Sequence, residues 1–112
     1  MARIDKMFRY LKDQGGSDLH LLATRQPRIR VHGKLVDIEG MGPISDEDLL
    51  DLLHEITPED QWQEYEETGD LDFAYSLQGV ARFRVNFLRQ HLGAAAVFRI
   101  IPEKILTLDD LG

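Results

Sequence analysis

The apolar positions of this chain change period twice, and the changes divide it into three stretches. Ile4, Met7, Phe8 and Leu11 recur at helical spacing until Gly15-Gly16, which predicts a first helix of about three turns. From Asp18 the spacing alternates. Leu19 and Leu21 face one way and His20 and Leu22 the other, as far as Thr24, and Pro27 breaks the strand. Arg28 to Val31 and Lys34 to Ile38 then flank His32-Gly33, which predicts a two-residue hairpin because glycine accepts the positive φ such turns require.

The middle stretch returns to helical spacing. Ser45-Asp46-Glu47-Asp48 is a variant capping box, with the Ser hydroxyl at the N-cap and carboxylates in the positive first turn. Leu49, Leu50, Leu52, Leu53 and Ile56 supply its apolar face. Thr57-Pro58 predicts a new helix, with Thr as cap and Pro at the first helical position. That helix carries Trp62, read as a core anchor between helices, and Tyr65, and it ends near Gly69. Glu64, Glu66 and Glu67 are expected in water.

The last third alternates again. Leu71, Phe73 and Tyr75 mark one strand, Gln78-Gly79 a turn, and Arg82 to Gln90 and Ala94 to Ile101 two further strands. Their register can be inferred. Pairing Arg89 with Ala94 across a four-residue loop, Gln90 to Gly93, sets Phe83, Val85 and Phe87 opposite Ile100, Phe98 and Ala96. A one-residue slip would mix charge into that apolar face. The same register sets Arg84 opposite Arg99 and gathers Arg82, Arg84 and Arg99 on one side of the sheet. Three arginines held together repel, so an anion should meet them, from a ligand, a partner or the chain itself. Asp70 and Asp72 are the nearest internal candidates. Pro102 ends the final strand, and Thr107-Leu108-Asp109-Asp110 has the form of another helix start. With Gly112 the last residue, a capped start without a helix body predicts a piece of a longer protein.

Charge sharpens this picture. The 112 residues carry a net charge of −7, yet from Phe73 to Pro102 there is no Asp or Glu, while Arg82, Arg84, Arg89 and Arg99 all fall there. From Asp37 to Asp72 the balance reverses: fourteen acidic residues and no Lys or Arg. Leu19 to Val36 is basic again, with Arg25, Arg28, Arg30 and Lys34. Such blocks are ordinarily solvated faces; the alternative is complementary docking to different partners or to neighbouring copies. With pI near 4.9, nucleic acid is not an expected partner, because phosphate backbones are repelled everywhere except at a confined basic patch.

Composition excludes other classes. The length suits one globular domain, and no apolar run approaches the ~18 residues of a membrane helix. Zero cysteines exclude disulfides, thiolate metal sites and a cysteine nucleophile. There is no Gly-x-x-x-x-Gly-Lys-Ser/Thr loop. His20, His32, His54 and His91 lack metal-ligand spacing, so no metal site is expected. His20 reads as a packed or edge residue and the others as solvated. Ser17, Asp18 and His20 come without the elbow and oxyanion hole of a hydrolase, and nothing desolvates the acidic pairs. No catalytic residue is assigned and no enzyme activity is expected of these residues alone.

Three segments together resemble the amino-terminal domain of the type IV pilus retraction ATPases, the PilT group of secretion-type motors. They are Gly16-Ser17-Asp18-Leu19-His20-Leu21 with Pro27-x-x-Arg30-Val31-x-Gly33; Asp72-Phe73 with Gly79-Val80-Ala81-Arg82-Phe83-Arg84-Val85-Asn86; and Gly93-Ala94-Ala95-Ala96-Val97-Phe98-Arg99-x-Ile101-Pro102 leading to Leu106-Thr107-x-x-x-Leu111-Gly112. The resemblance implies an α+β, PAS-like domain, a mainly antiparallel sheet packed against helices, over residues 1–102. Residues 103–112 would begin a linker or helix towards a RecA-like ATPase domain. It further implies a cytoplasmic motor, peripheral at the inner-membrane pilus base, that drives pilus retraction and twitching motility. Its partners would be RecA-like ATPase domains of the same and neighbouring subunits of a homohexamer, and the pilus inner-membrane machinery. ATP and Mg would belong to the full-length protein, with no cofactor held by these residues. Arg82, Arg84 and Arg99 match positions from which arginines approach nucleotide phosphates at the domain junction; bridging to carboxylates of a neighbouring ATPase domain is the alternative. A different class, a stand-alone PAS-like sensor or protein-interaction module, would require an apolar cavity inside the sheet.

Overall fold

The computed structural model describes residues 3–101. The expected alternation of periods becomes α1 (Asp5–Asp13), β1 (Asp18–Leu22), β2 (Arg28–Val31), β3 (Lys34–Asp37), α2 (Asp46–Glu55), α3 (Glu59–Thr68), β4 (Asp70–Leu77), β5 (Ala81–Gln90) and β6 (Gly93–Ile101). The α+β expectation holds: the strands form one sheet in the order β3-β2-β1-β6-β5-β4, and each neighbouring pair is antiparallel. The expected start of a helix at Thr107 and the segment 103–112 lie outside the described residues.

Local chemistry explains the boundaries. Ser45 caps α2, its Oγ accepting from the Asp48 backbone N–H at 3.1 Å as the capping box predicts. Thr57 departs from expectation. Its hydroxyl donates backwards to the Leu53 carbonyl at 2.7 Å, so it closes the end of α2 and leaves the start of α3 without a side-chain cap. The Leu53 carbonyl, which also accepts from the Ile56 N–H at 3.3 Å, gains a second donor in this way. The β2–β3 hairpin turns on His32 and Gly33, at φ 51° and 78°.

The register inferred for the last hairpin is the one observed, with Arg84 opposite Arg99, Val85 opposite Phe98 and Phe87 opposite Ala96. The connection is shorter than the expected four residues. Gln90 and Gly93 pair, which leaves only His91 and Leu92 in the turn. Gly93 permits this with φ 124°, and a Cβ there would collide with the Asp46 carboxylate. That carboxylate accepts from the Ala94 N–H at 2.8 Å and so ties the start of α2 to the hairpin.

Helices cover one face of the sheet. Alternation sends Leu19, Leu21, Ile29, Phe83, Val85, Phe87, Ala96 and Phe98 into that layer, and all are buried. Phe8 from α1 stacks on Phe83 at 4.3 Å and meets Phe98 edge-on at 4.9 Å. Farther along, Tyr65 and Trp62 of α3 approach Phe87 edge-on at 5.5 and 6.4 Å. Trp62 is therefore the core anchor expected of it. His54 is less solvated than its position suggests: its ring stacks on Trp62 at 4.5 Å and contacts Glu59.

Candidate functional site: an arginine row on the open face of the sheet

The face turned away from the helices can be built row by row from the pairing. One row runs Leu35, Arg30, Asp18, Arg99, Arg84, Ala74 from β3 to β4. Arg82 stands one pleat further out, opposite Ile101 on one side and Ser76 on the other. Asp37, Arg28, His20, Val97, Asn86 and Asp72 form the row behind. The three predicted arginines do share one face at one end of the sheet.

Two internal carboxylates meet this row. Arg84 Nη2 donates to Asp72 Oδ2 at 3.5 Å, one of the two internal partners expected. Asp70, the other, instead has its backbone N–H and carbonyl bound by the Thr68 hydroxyl. Arg99 Nε donates to Asp18 Oδ2 at 3.3 Å. Arg82 has no ion pair among the described residues. Four guanidiniums (Arg30, Arg82, Arg84, Arg99) thus face two carboxylates.

Asp18 is the residue the sequence reading missed. It comes from β1, 81 positions from Arg99, and becomes its neighbour only because β1 and β6 pair at the centre of the sheet. The available signal was that Asp18 is the only acid between Asp13 and Asp37, on the strand opposite Arg30 in the first hairpin. Its side chain is 8% exposed, between Arg30 and Arg99, whereas the Arg99 side chain is 67% exposed and that of Arg84 69%. The carboxylate is fixed and the guanidiniums reach outward.

His20 shares this face. Its Nε2 is buried and without a hydrogen bond, 3.9 Å from Asp18 Oδ2 and too far to be satisfied by it. Burial lowers its pKa below the ordinary histidine value; Asp18 opposes the shift, and Arg30 and Arg99 add to it. Beside His20, Leu22, Arg25, Arg28, Leu88 and Val97 line a depression of about 320 Å³. No cluster of His, Cys, Asp or Glu able to hold a metal occurs among the described residues. Chemically, the row can offer forked donors to a phosphate or carboxylate. The Arg84–Asp72 pair, exposed on both sides at 3.5 Å, is worth roughly 0–1 kcal/mol, so an incoming anion can displace Asp72 at small cost, whereas Arg99 stays tied to the buried Asp18.

No family model matches the chain. Among curated proteins it is 41% identical over 109 residues to the type IV pilus retraction ATPase PilT of Pseudomonas aeruginosa, covering 97% of this chain and 31% of that protein. It is 38% identical over 90 residues to a twitching motility protein of Neisseria gonorrhoeae, covering 80% of this chain and 24% of that protein. A crystal structure of the pilus retraction motor PilT with bound ADP matches with a TM-score of 0.86 at 28% identity, over 100% of this chain and 33% of that one. The ATPase DotB of Legionella pneumophila, 22% identical with a TM-score of 0.75 over 88% of this chain and 28% of that one, shares the fold. The chain thus spans about a third or less of each protein it matches.

Proposed function

We propose that this chain, a homologue of the amino-terminal part of PilT-type pilus retraction ATPases, serves as the regulatory and assembly domain of such a motor. In this reading residues 103–112 lead towards a RecA-like ATPase domain that supplies the ATP and Mg site. The domain packs on ATPase domains of a homohexamer, on the cytoplasmic side of the inner-membrane pilus machinery. No helix among the described residues is long and apolar enough to cross a membrane.

The observation that carries the site is the pairing of Arg84 with Arg99 on adjacent strands, both largely exposed, with Arg82 beside them and without an ion pair among the described residues. Guanidiniums remain charged at any physiological pH and match phosphate oxygens in forked geometry. Presented to a nucleotide at the junction with the ATPase domain, they would couple its phosphate state to the position of this domain. The covered face is filled by Phe8, Phe83, Phe87 and Phe98, leaving aromatic packing where a PAS-like sensor would hold its ligand.

The test uses the full-length protein. Arg84→Ala combined with Arg99→Ala is expected to lower ATP turnover by about tenfold or more, since arginines at transferred phosphates carry larger effects than that. A hexamer that dissociates at unchanged turnover per assembled ring would assign the arginines to interdomain carboxylates instead. Unchanged turnover with an intact hexamer would overturn both roles.

A further inference from the structure

The sheet has two edges, and they are built differently. β3 is four residues long, with Lys34 at one end and Asp37 at the other, brevity and charge that discourage pairing with a stranger even though Leu35 and Val36 between them are exposed. β4 is eight residues long, Asp70–Leu77, with no Lys, Arg or Pro, and its two acids, Asp70 and Asp72, lie at one end. Its backbone directions can be read from its ends. The Asp70 N–H and carbonyl both bond to the Thr68 hydroxyl, so they point away from β5. The Leu77 carbonyl accepts from Val80 N–H in the β4–β5 turn and so points the other way. Alternation then turns the N–H and carbonyl of Asp72, Ala74 and Ser76 outward. None of these groups has a partner among the described residues.

We propose that β4 pairs antiparallel with β4 of a second copy of this chain, about a two-fold axis at Ala74. In that register Asp72 faces Ser76 of the second copy and Ala74 faces itself. Every outward backbone group is then used, with two hydrogen bonds at each of these pairs. On the covered face Phe73 meets Tyr75 and Leu71 meets Leu77, joining half-buried aromatic rings and apolar side chains. On the open face Asp70 meets Gln78, and no carboxylate opposes another. Centring the axis on Asp72 would oppose two carboxylates. Centring it on Phe73 would direct Ser76 to Asp70, whose backbone Thr68 already occupies. The sequence is self-complementary about Ala74, as a two-fold interface demands. A strand added to a sheet edge is bound mainly through its main chain.

The experiment uses the 112-residue chain, followed by sedimentation equilibrium from micromolar to millimolar concentration. We expect a reversible dimer that strengthens with added salt, because each copy carries net charge −7. Ala74→Lys, at an exposed position, should weaken association by about tenfold or more by opposing two like charges, while circular dichroism stays unchanged. The chain has no cysteine, so Ala74→Cys introduces a single thiol. At the axis the two Cα atoms would lie about 5.5 Å apart, within disulfide range. Under mild oxidation it should cross-link far faster than Glu66→Cys, on the exposed face of α3. Faster cross-linking at Ala74 supports the pairing even where the wild-type dimer is weak. A monomer at every concentration with equal cross-linking by the two thiols would overturn it. A dimer indifferent to Ala74→Lys but lost in Val36→Lys would overturn it too, by moving the interface to β3.

Discussion

The two faces of one sheet divide the labour of this domain. On the covered face, alternate residues of β5 enter an aromatic cluster closed by Phe8, and the helices above it turn Glu47, Asp48, Asp51, Glu59, Asp60, Glu64, Glu66 and Glu67 to solvent. On the open face, the residues between them, Arg82 and Arg84, stand exposed with the exposed Asp72 carboxylate nearby. The molecule is therefore acidic over α2 and α3 and locally basic on its bare sheet. One strand supplies both faces, so stability and recognition are separated by a single residue of register. A change at Phe83, Val85 or Phe87 should act on folding, and one at Arg82 or Arg84 on what the surface binds.

The largest expected break in that contrast is Phe83→Ala. Phe83 is fully buried and stacked on Phe8, so truncation should cost about 3–5 kcal/mol, read as a lower midpoint in denaturant unfolding. A loss below about 1 kcal/mol would mean that the covered face is not the main source of stability. Asp18→Ala comes next. It removes a buried carboxylate from between Arg30 and Arg99 and should cost about 1–3 kcal/mol by the same measurement. This is the one place where the open face is expected to contribute substantially to folding.

How far the sequence exposes this division depends on how local each contact is. The β5–β6 register was legible because both strands alternate and are adjacent in the chain: any slip would have placed Arg84 or Arg99 among phenylalanines. The Ser45 cap was legible for the same reason, since donor and acceptor lie three residues apart. The β1–β6 pairing was not. Nothing in Asp18–Leu22 specifies which distant strand it joins, and so the Asp18–Arg99 contact stayed hidden although both residues were in view. Thr57 failed for a different reason. Its hydroxyl had two helix ends within reach, and a residue pattern that marks a cap does not say which of them it will bond.

His20 sharpens the comparison through pH. Burial lowers its folded-state pKa, so the unfolded chain takes up the proton first as pH falls. The sign follows: the stability from neutral His20 is present above the unfolded value near 6.5 and is lost as pH falls through the window between that value and the lower folded one. Urea unfolding at pH 7.5 and 5.5 should show a larger drop for the wild type than for His20→Gln. An equal drop would show that His20 is satisfied by a contact formed in solution, and that the open face is better packed at its centre than its exposed rim.

The smallest expected effect is the most pointed, because it lies one residue from the largest. Arg84→Ala removes a guanidinium that is 69% exposed and whose partner, Asp72, is 53% exposed, at 3.5 Å. An exposed pair of this kind is screened by water and salt and loses part of its Coulomb gain to side-chain entropy. Truncation also relieves the repulsion between Arg84 and Arg99, which face each other on neighbouring strands. The two terms oppose, and unfolding free energy should shift by no more than about 0.5 kcal/mol in either direction. A clear stabilisation in low salt that fades as salt is added would mean that repulsion within the row outweighs its internal pairing. That outcome would give the row the character of a site held at a cost to the fold. A loss of more than about 1 kcal/mol would make Arg84 a structural residue, and the separation between the faces of β5 would fail at the position where it is drawn most sharply.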